Sequence, residues 1–419
     1  MLRWIAILSA LAVVAGSAFF ILYHPPMRLM PPPLLFQRGG ERIFDVAPDL
    51  VQGSEIEIFF ATSRLPVGPA DRRVYTVAPD RSLRLGTATL RIGEGDATLA
   101  QIREWTTGLG SGDRPFLHLV AMQETARLAP GEVPVAGSAA GDWFAALDDA
   151  LAKTRDRDVL IYVHGANTTV ERAAGQASQL RHFSGRNAVV VLFTWPTAEN
   201  FLRYGRDIRN AFASAPHLAQ LIGLMQRHSA SERVNVFTYS AGATVGSKAL
   251  AILVEEDPEA ATDLGEVYHA APDADFRDFV ADLKVYGSAA RRVTAAVNLG
   301  DSALRLAQVM NRASRAGRPD LRELEPEAAE WLLAAAGTDG IDLLQIHPEA
   351  MPELDARSHT FWYDDPWVSN DALLTLLLHL PPEKRALEPG VSPSGAPYWT
   401  FPPDYPERLR ARAESLRQR

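Results

Sequence analysis

The sequence predicts an α/β fold in which a mostly parallel central sheet, entered through antiparallel N-terminal strands, carries helices on both faces. Three observations predict it. From Trp143 onward, short apolar runs alternate with segments of helical period, the rhythm of parallel strands joined by crossover helices. Ahead of them, Ile56–Thr62 and Thr87–Ile92 alternate and are β-rich, and Phe116–Val120 is a third strand of the same kind. Finally, two of the later apolar runs, Val159–Val163 and Val234–Phe237, each end in a glycine-bearing turn with a chemically loaded residue: His164-Gly165-Ala166-Asn167 and Thr238-Tyr239-Ser240-Ala241-Gly242.

The elements follow in order. The strand at 159–163 leads into a helix over 168–184, where Val170, Ala173, Ala174, Ala177 and Leu180 recur at helical spacing. Ala188–Thr194 is a buried-type strand stopped by Trp195-Pro196, and a helix over 207–228 precedes the strand at 233–238. The next helix opens at Ala241 and turns Ala243, Val245, Ala249 and Leu250 inward. Val267–Ala271, Val293–Val297 and Ile341–Ile346 supply further strands, and an amphipathic helix from Asn370 to Leu380 closes the domain. No segment repeats at a fixed period.

Bulk properties bound the function. A chain of 419 residues, 47% hydrophobic and 22% charged, has the make-up of a folded globular protein. The net charge of −9 is spread along the chain and offers no basic face to nucleic acid. The absence of cysteine excludes disulfides, thiolate metal sites, a cysteine nucleophile and a lipid-modified cysteine. Trp4 to Tyr23 carries no charge and is long enough to span a bilayer core as a helix, so residues 1–23 are expected to anchor the chain in a membrane. Ala15-Gly16-Ser17-Ala18 offers a signal-cleavage alternative, but the apolar run continues through Phe19, Phe20, Ile21 and Leu22 and favours an uncleaved anchor. The folded domain is then expected outside the cytoplasm, on the periplasmic side of the inner membrane, or exported if the signal is cleaved. Pro25, Pro26 and Pro31 to Pro33 make 24–44 a proline-rich tether, residues 45–382 form the domain, and 383–419, rich in proline and then arginine, read as a polar, solvated tail.

The chemistry centres on Ser240. A serine on a sharp strand-to-helix turn is the nucleophile elbow of an α/β-hydrolase, and the turn needs small neighbours, which Gly242 supplies. Thr238 stands where the first glycine of that motif is usual, and Tyr239 where histidine is common. A lone serine at a helix start is otherwise an N-cap, so the flanking strand and helix carry the inference. The loop after the first strand contributes one backbone donor to the oxyanion hole and the residue after the nucleophile contributes the other; here these are Ala166 and Ala241. His164, Gly165 and Asn167 shape that loop, with His164 closing the strand and taking no part in proton transfer.

A serine hydroxyl needs an imidazole to take its proton, and the fold orders its triad serine, acid, histidine. His347, His359 and His379 lie far enough downstream; His359, on the loop between the last strand and the last helix, is the expected base. The acid that orients the imidazole is Asp301, two strands after the serine, with Asp273 or Asp275 at the end of the intervening strand as alternatives. Tyr204 and Asp207, near the expected pocket mouth, shape an acyl or leaving-group site or else belong to a capped helix start. No metal or organic cofactor is called for by such a site.

Several blocks occur in order: Phe60-Ala61-Thr62-Ser63-Arg64, Val163-His164-Gly165-Ala166-Asn167, Phe193-Thr194-Trp195-Pro196, Tyr239-Ser240-Ala241-Gly242, Ala270-Ala271-Pro272-Asp273, Asp301-Ser302-Ala303-Leu304 and Ser358-His359. Together with Leu29-Met30-Pro31 and Pro33-Leu34-Leu35, they resemble a bacterial α/β-hydrolase family of unassigned function, whose members are described as esterase/lipase-superfamily proteins and often carry an N-terminal membrane or export segment. The resemblance covers residues 29–380 and implies the same Ser240, Asp301 and His359 assignment; the chain departs from the family at Thr238-Tyr239 and at Ala241, where methionine is frequent. The expected activity is hydrolysis of carboxylic esters or thioesters, on a small-molecule or lipid acyl substrate, through an acyl-enzyme. The rival readings are a non-catalytic binding or scaffold protein of the cell envelope on the same fold, and a serine peptidase.

Overall fold

The computed structural model describes residues 26–37, 53–69, 72–108, 113–336, 340–393 and 395–417. One eleven-stranded mixed sheet organises them, in the order β10-β11-β9-β8-β7-β6-β4-β5-β1-β2-β3. Strands β1 (Glu55–Val67), β2 (Val74–Ile92) and β3 (Leu117–Leu128) form the antiparallel entry. All three run longer than their apolar cores predict. Strands β4 (Val159–Val163), β5 (Val189–Thr194), β6 (Val234–Tyr239), β7 (Leu264–Ala270), β8 (Arg292–Val297) and β9 (Ile341–Gln345) are parallel, and β1 joins them by pairing parallel with β5.

The parallel strands read as continuous apolar runs because both of their faces are covered. Along β4, Leu160 and Tyr162 enter one core, while Val159, Ile161 and Val163 enter the other. The first core is closed by α4 (Val170–His182), α10 (Phe361–Asp364) and α11 (Pro366–Leu378), and the second by α3 (Ala139–Leu151), α5 (Tyr204–His228), α6 (Gly242–Glu256) and α7 (Phe276–Tyr286). Helix α2 (Leu99–Thr107) follows β2, α8 (Ser302–Asn311) follows β8, and α9 (Pro326–Ala335) precedes β9.

Three expectations are corrected. The described part of the proline-rich tether is packed: Met27, Leu29 and Met30 are buried, and residues 34–37 form a short helix, α1. Here the apolar residues between the prolines enter the core, and the segment's backbone pairs with the chain before β3, Leu29 N–H donating to Pro115 O at 2.9 Å and Leu117 N–H to Met27 O at 2.7 Å. The expected polar, solvated tail is likewise structural. Residues 388–391 and 397–400 form β10 and β11, β11 pairs parallel with β9, and α12 (Tyr405–Arg417) follows. Phe401 and Tyr405 are buried against Trp367, an aromatic cluster that the many arginines and prolines of this segment disguise. Helix α11, expected to be amphipathic over Asn370–Leu380, starts four residues earlier at Pro366 and is buried all round from Trp367 to Leu376, since the C-terminal segment covers its outer side.

No helix among the described residues is long and apolar enough to cross a membrane. The expected Trp4–Tyr23 anchor lies outside the described residues.

Candidate active site

The elbow forms where β6 meets α6. Ser240 has φ of 53°, a left-handed conformation that costs a residue with a Cβ on the order of 1–2 kcal/mol. Neighbouring backbone holds it there: Ser240 N–H donates to Ala270 O, and Asp273 N–H donates to Ser240 O, each at 3.0 Å. Close approach explains the glycine at 242, since a Cβ there would lie 2.5 Å from Val163 O and 2.7 Å from His164 O. The threonine at 238 is accommodated one turn into the helix. A Cβ at Gly246 would meet Thr238 Cγ2 at 2.4 Å, so the room is made by a glycine that the motif does not include. Thr238 Oγ1 is also bonded to His269 Nδ1 at 2.6 Å.

His359, on the loop between β9 and α10, stands 2.8 Å from Ser240 Oγ through Nε2 and 2.5 Å from Asp301 Oδ2 through Nδ1. The carboxylate accepts from Nδ1–H, which leaves Nε2 as the acceptor for the serine hydroxyl. Asp301 is fully buried and divides its oxygens: Oδ1 caps α8 by accepting from Ala303 and Leu304 N–H at 2.8 and 3.0 Å, and Oδ2 faces the ring. Asn298 ties the two loops together, donating to Ser358 O at 2.9 Å and accepting from Gly300 N–H at 2.9 Å. Burial works against the charged form of His359, yet the Asp301 charge and hydrogen bond, with Asp273 adding, raise its pKa above the ordinary histidine value of 6.5.

The alternative acids do not reach the imidazole. Asp273 is engaged by Arg315 Nε at 2.6 Å and by the Tyr204 hydroxyl at 2.7 Å. Asp275 caps α7 through Arg277 N–H at 3.1 Å, the ordinary use of an aspartate at a helix start. Tyr204 and Asp207, expected either to shape an acyl or leaving-group site or to belong to a capped helix start, are buried in the first turn of α5. Asp207 accepts from Asn167 N–H at 3.0 Å and Ala198 N–H at 2.6 Å, joining the loops after β4 and β5.

The amides of Ala166 and Ala241, the expected oxyanion donors, have no hydrogen-bond partner among the described residues. Gly165 lies against the serine; a Cβ there would sit 2.9 Å from Ser240 Cβ and 3.4 Å from Oγ. Asn167 takes a left-handed turn, φ 51°, that carries the chain away from the site. His164 is wholly buried and stacked on Trp195 at 5.4 Å. Its Nε2 accepts from Trp195 N–H at 3.2 Å, so the proton sits on Nδ1, which faces Gly165 O at 2.8 Å. Burial, with the Arg64 charge beside it, pushes its pKa down to about 3. It is a neutral loop-shaping group. Nothing in the sequence singles out Arg64 beyond its block: fully buried, it donates to Trp195 O, Thr168 O and Thr197 Oγ1 and pairs with Glu199 at 2.9 Å. Asn298 was equally unmarked, because Ser358 lies 60 residues away, and Gly246 because it stands outside the elbow motif.

A serine, an imidazole and a carboxylate in hydrogen-bonded series at the strand ends of a doubly covered sheet define an α/β-hydrolase architecture. A family model described as alpha/beta hydrolase of unknown function (DUF900) matches residues 140–360, more than half of the chain and all three of these side chains, and the protein belongs to that family. No curated protein matches the chain.

Proposed function

We propose that the protein is a serine hydrolase that cleaves carboxylic esters or thioesters. The observation that carries this reading is the continuous series Ser240 Oγ, His359, Asp301, with contacts of 2.8 and 2.5 Å. Ser240 attacks the acyl carbon as Nε2 of His359 takes its proton, and the imidazolium is stabilised by the buried Asp301 carboxylate. The oxyanion is held by the amides of Ala166 and Ala241, each such donor contributing about 3 kcal/mol to the transition state. Protonated His359 then delivers the proton to the departing alkoxide or thiolate. A water, activated by the same ring, releases the acid from Ser240.

An apolar acyl group is favoured by the surroundings. Leu202, Leu299, Leu306, Val309 and Met310 are exposed hydrophobics on the segment after β5 and on the loop and helix that begin at the Asp301 end of β8. These segments adjoin, since Asn311 Nδ2 donates to the Tyr204 hydroxyl at 3.3 Å. The uncharged stretch Trp4–Tyr23 supports placing the domain at a membrane.

The test uses a fluorophosphonate probe and a series of p-nitrophenyl acyl esters on the purified protein. Labelling and ester cleavage are expected in the wild type. Both are expected to disappear in Ser240→Ala, and His359→Ala should lower kcat by about 10⁴-fold or more. A wild-type protein that neither labels nor turns over any ester would leave a binding role on the same fold.

A further inference from the structure

At the opposite ends of the central strands from Ser240, Asp156, Asp158 and His379 converge. Asp158 immediately precedes β4 and His379 ends α11, whereas Ser240 follows the far end of β6. Asp156 Oδ2 and Asp158 Oδ2 lie 3.2 and 3.5 Å from the same atom, Nε2 of His379, and the three ligand atoms all fall within 4.8 Å of one another. Metal–ligand bonds of about 2.0–2.2 Å in a tetrahedral site put neighbouring ligand atoms roughly 3.4 Å apart, so the two measured separations bracket a coordination edge.

A second feature bears on the same ring from its other side. Glu266, in β7, has a side chain 1% exposed, and neither of its carboxylate oxygens has a hydrogen-bond partner among the described residues. Oε1 faces His379 Nδ1 at 3.8 Å, and that nitrogen is also without a hydrogen bond. A buried carboxylate without a hydrogen-bond donor is unfavourable unless something compensates it. A histidine that binds a metal through one nitrogen and donates the other N–H to a carboxylate is the arrangement in which such a group is compensated. The ligand carboxylate is oriented too, because Asn235 Nδ2 donates to Asp158 Oδ2 at 3.2 Å.

The geometry points to a zinc site here: Asp156 Oδ2, Asp158 Oδ2 and His379 Nε2 bind Zn²⁺, Glu266 accepts from His379 Nδ1–H, and water completes the coordination. The side chains of Asp156 and His379 are 34% and 22% exposed, which leaves a path for the ion and its water. The site lies at the opposite ends of these strands from the serine, so it takes no part in the reaction proposed for Ser240. It pins the C-terminal end of α11 to the entry ends of β4 and β7.

Equilibrium dialysis of the EDTA-stripped full chain against Zn²⁺, with Mg²⁺ in parallel, tests this, alongside thermal unfolding with and without each ion. One Zn²⁺ per chain is expected, with a raised Tm and no comparable effect of Mg²⁺. His379→Gln and Asp156→Asn should each weaken Zn²⁺ binding by about 100-fold or more and abolish the Tm rise, and Glu266→Gln should weaken binding by about 10–100-fold. Asp156 is the most exposed of the group, so Asp156→Asn keeps the test valid if the others fail to fold. Substoichiometric Zn²⁺, binding unchanged in Asp156→Asn, or a preference for Mg²⁺ would overturn the assignment and leave a histidine paired with carboxylates.

Discussion

Ser240 is held in a conformation disfavoured for a residue with a Cβ, and the backbone of Ala270 and Asp273 keeps it there. Gly165 is the neighbour most sensitive to change. Since a Cβ at that position would stand 2.9 Å from Ser240 Cβ, too close without a shift, Gly165→Ala is expected to displace the serine and lower kcat/KM by about 10²-fold or more. A variant with full turnover would remove the loop from the reacting surface. His359 makes a prediction in pH. It must be neutral to accept a proton, and its pKa is raised above 6.5, so kcat/KM should rise with pH through a midpoint above 6.5. Asp301→Asn removes the charge that raises it, so the midpoint should move down while kcat falls by about 10⁴-fold. The stability sign is the reverse. A histidine with a raised folded pKa contributes stability that is fully present below 6.5 and lost as pH climbs through the folded value, so the activity and stability of this pair trade off across one window. Urea midpoints measured across that window in the wild type and in Asp301→Asn check the sign.

At the scale of elements, the strands carrying the site were legible, because runs such as Val159–Val163 and Val189–Thr194 are buried on both faces and leave no room for polar residues. The turn residues were legible for a related reason: tight backbone approach permits few residue types. What holds the loops was not. Arg64 reads as a surface charge, yet its guanidinium spans partners 104 to 135 residues away, and only the folded topology brings β1, β4 and β5 together. Asp207 performs the same office from α5, taking amides from both loops. Breaking a buried charge of this kind leaves its partners uncompensated, so Arg64→Ala is expected to cost about 3–5 kcal/mol in chemical denaturation. It should also depress kcat, because Thr168 and Trp195 flank the proposed oxyanion loop. A loss below about 0.5 kcal/mol would mean that the loops after β4 and β5 are held by their own turns.

For the whole molecule, the sheet's middle was easier to read than its ends. Composition misled at both margins: prolines at 31–33 suggested a tether and arginines from 408 onward suggested a tail, although Met27, Leu29, Phe401 and Tyr405 are core residues. Periodicity could not correct this, since β10 and β11 are four residues each and are held by pairing with each other and with β9 rather than by their own pattern. The C-terminal segment therefore has two duties. It covers a parallel edge strand that would otherwise offer unpaired backbone to other chains, and it supplies the outer wall of α11. Tyr405 is where the two meet, its ring 5.4 Å from Trp367 and 4.8 Å from Phe401, its hydroxyl accepting from Asn370 Nδ2 at 3.3 Å. Tyr405→Ala is expected to lower the unfolding free energy by about 3–5 kcal/mol, the range for deleting a buried aromatic side chain, with a fall in the urea midpoint. Truncation after residue 387 should go further and add concentration-dependent aggregation, because it bares β9. A solvated tail predicts neither effect, so a Tyr405→Ala midpoint equal to the wild type would return this segment to solvent.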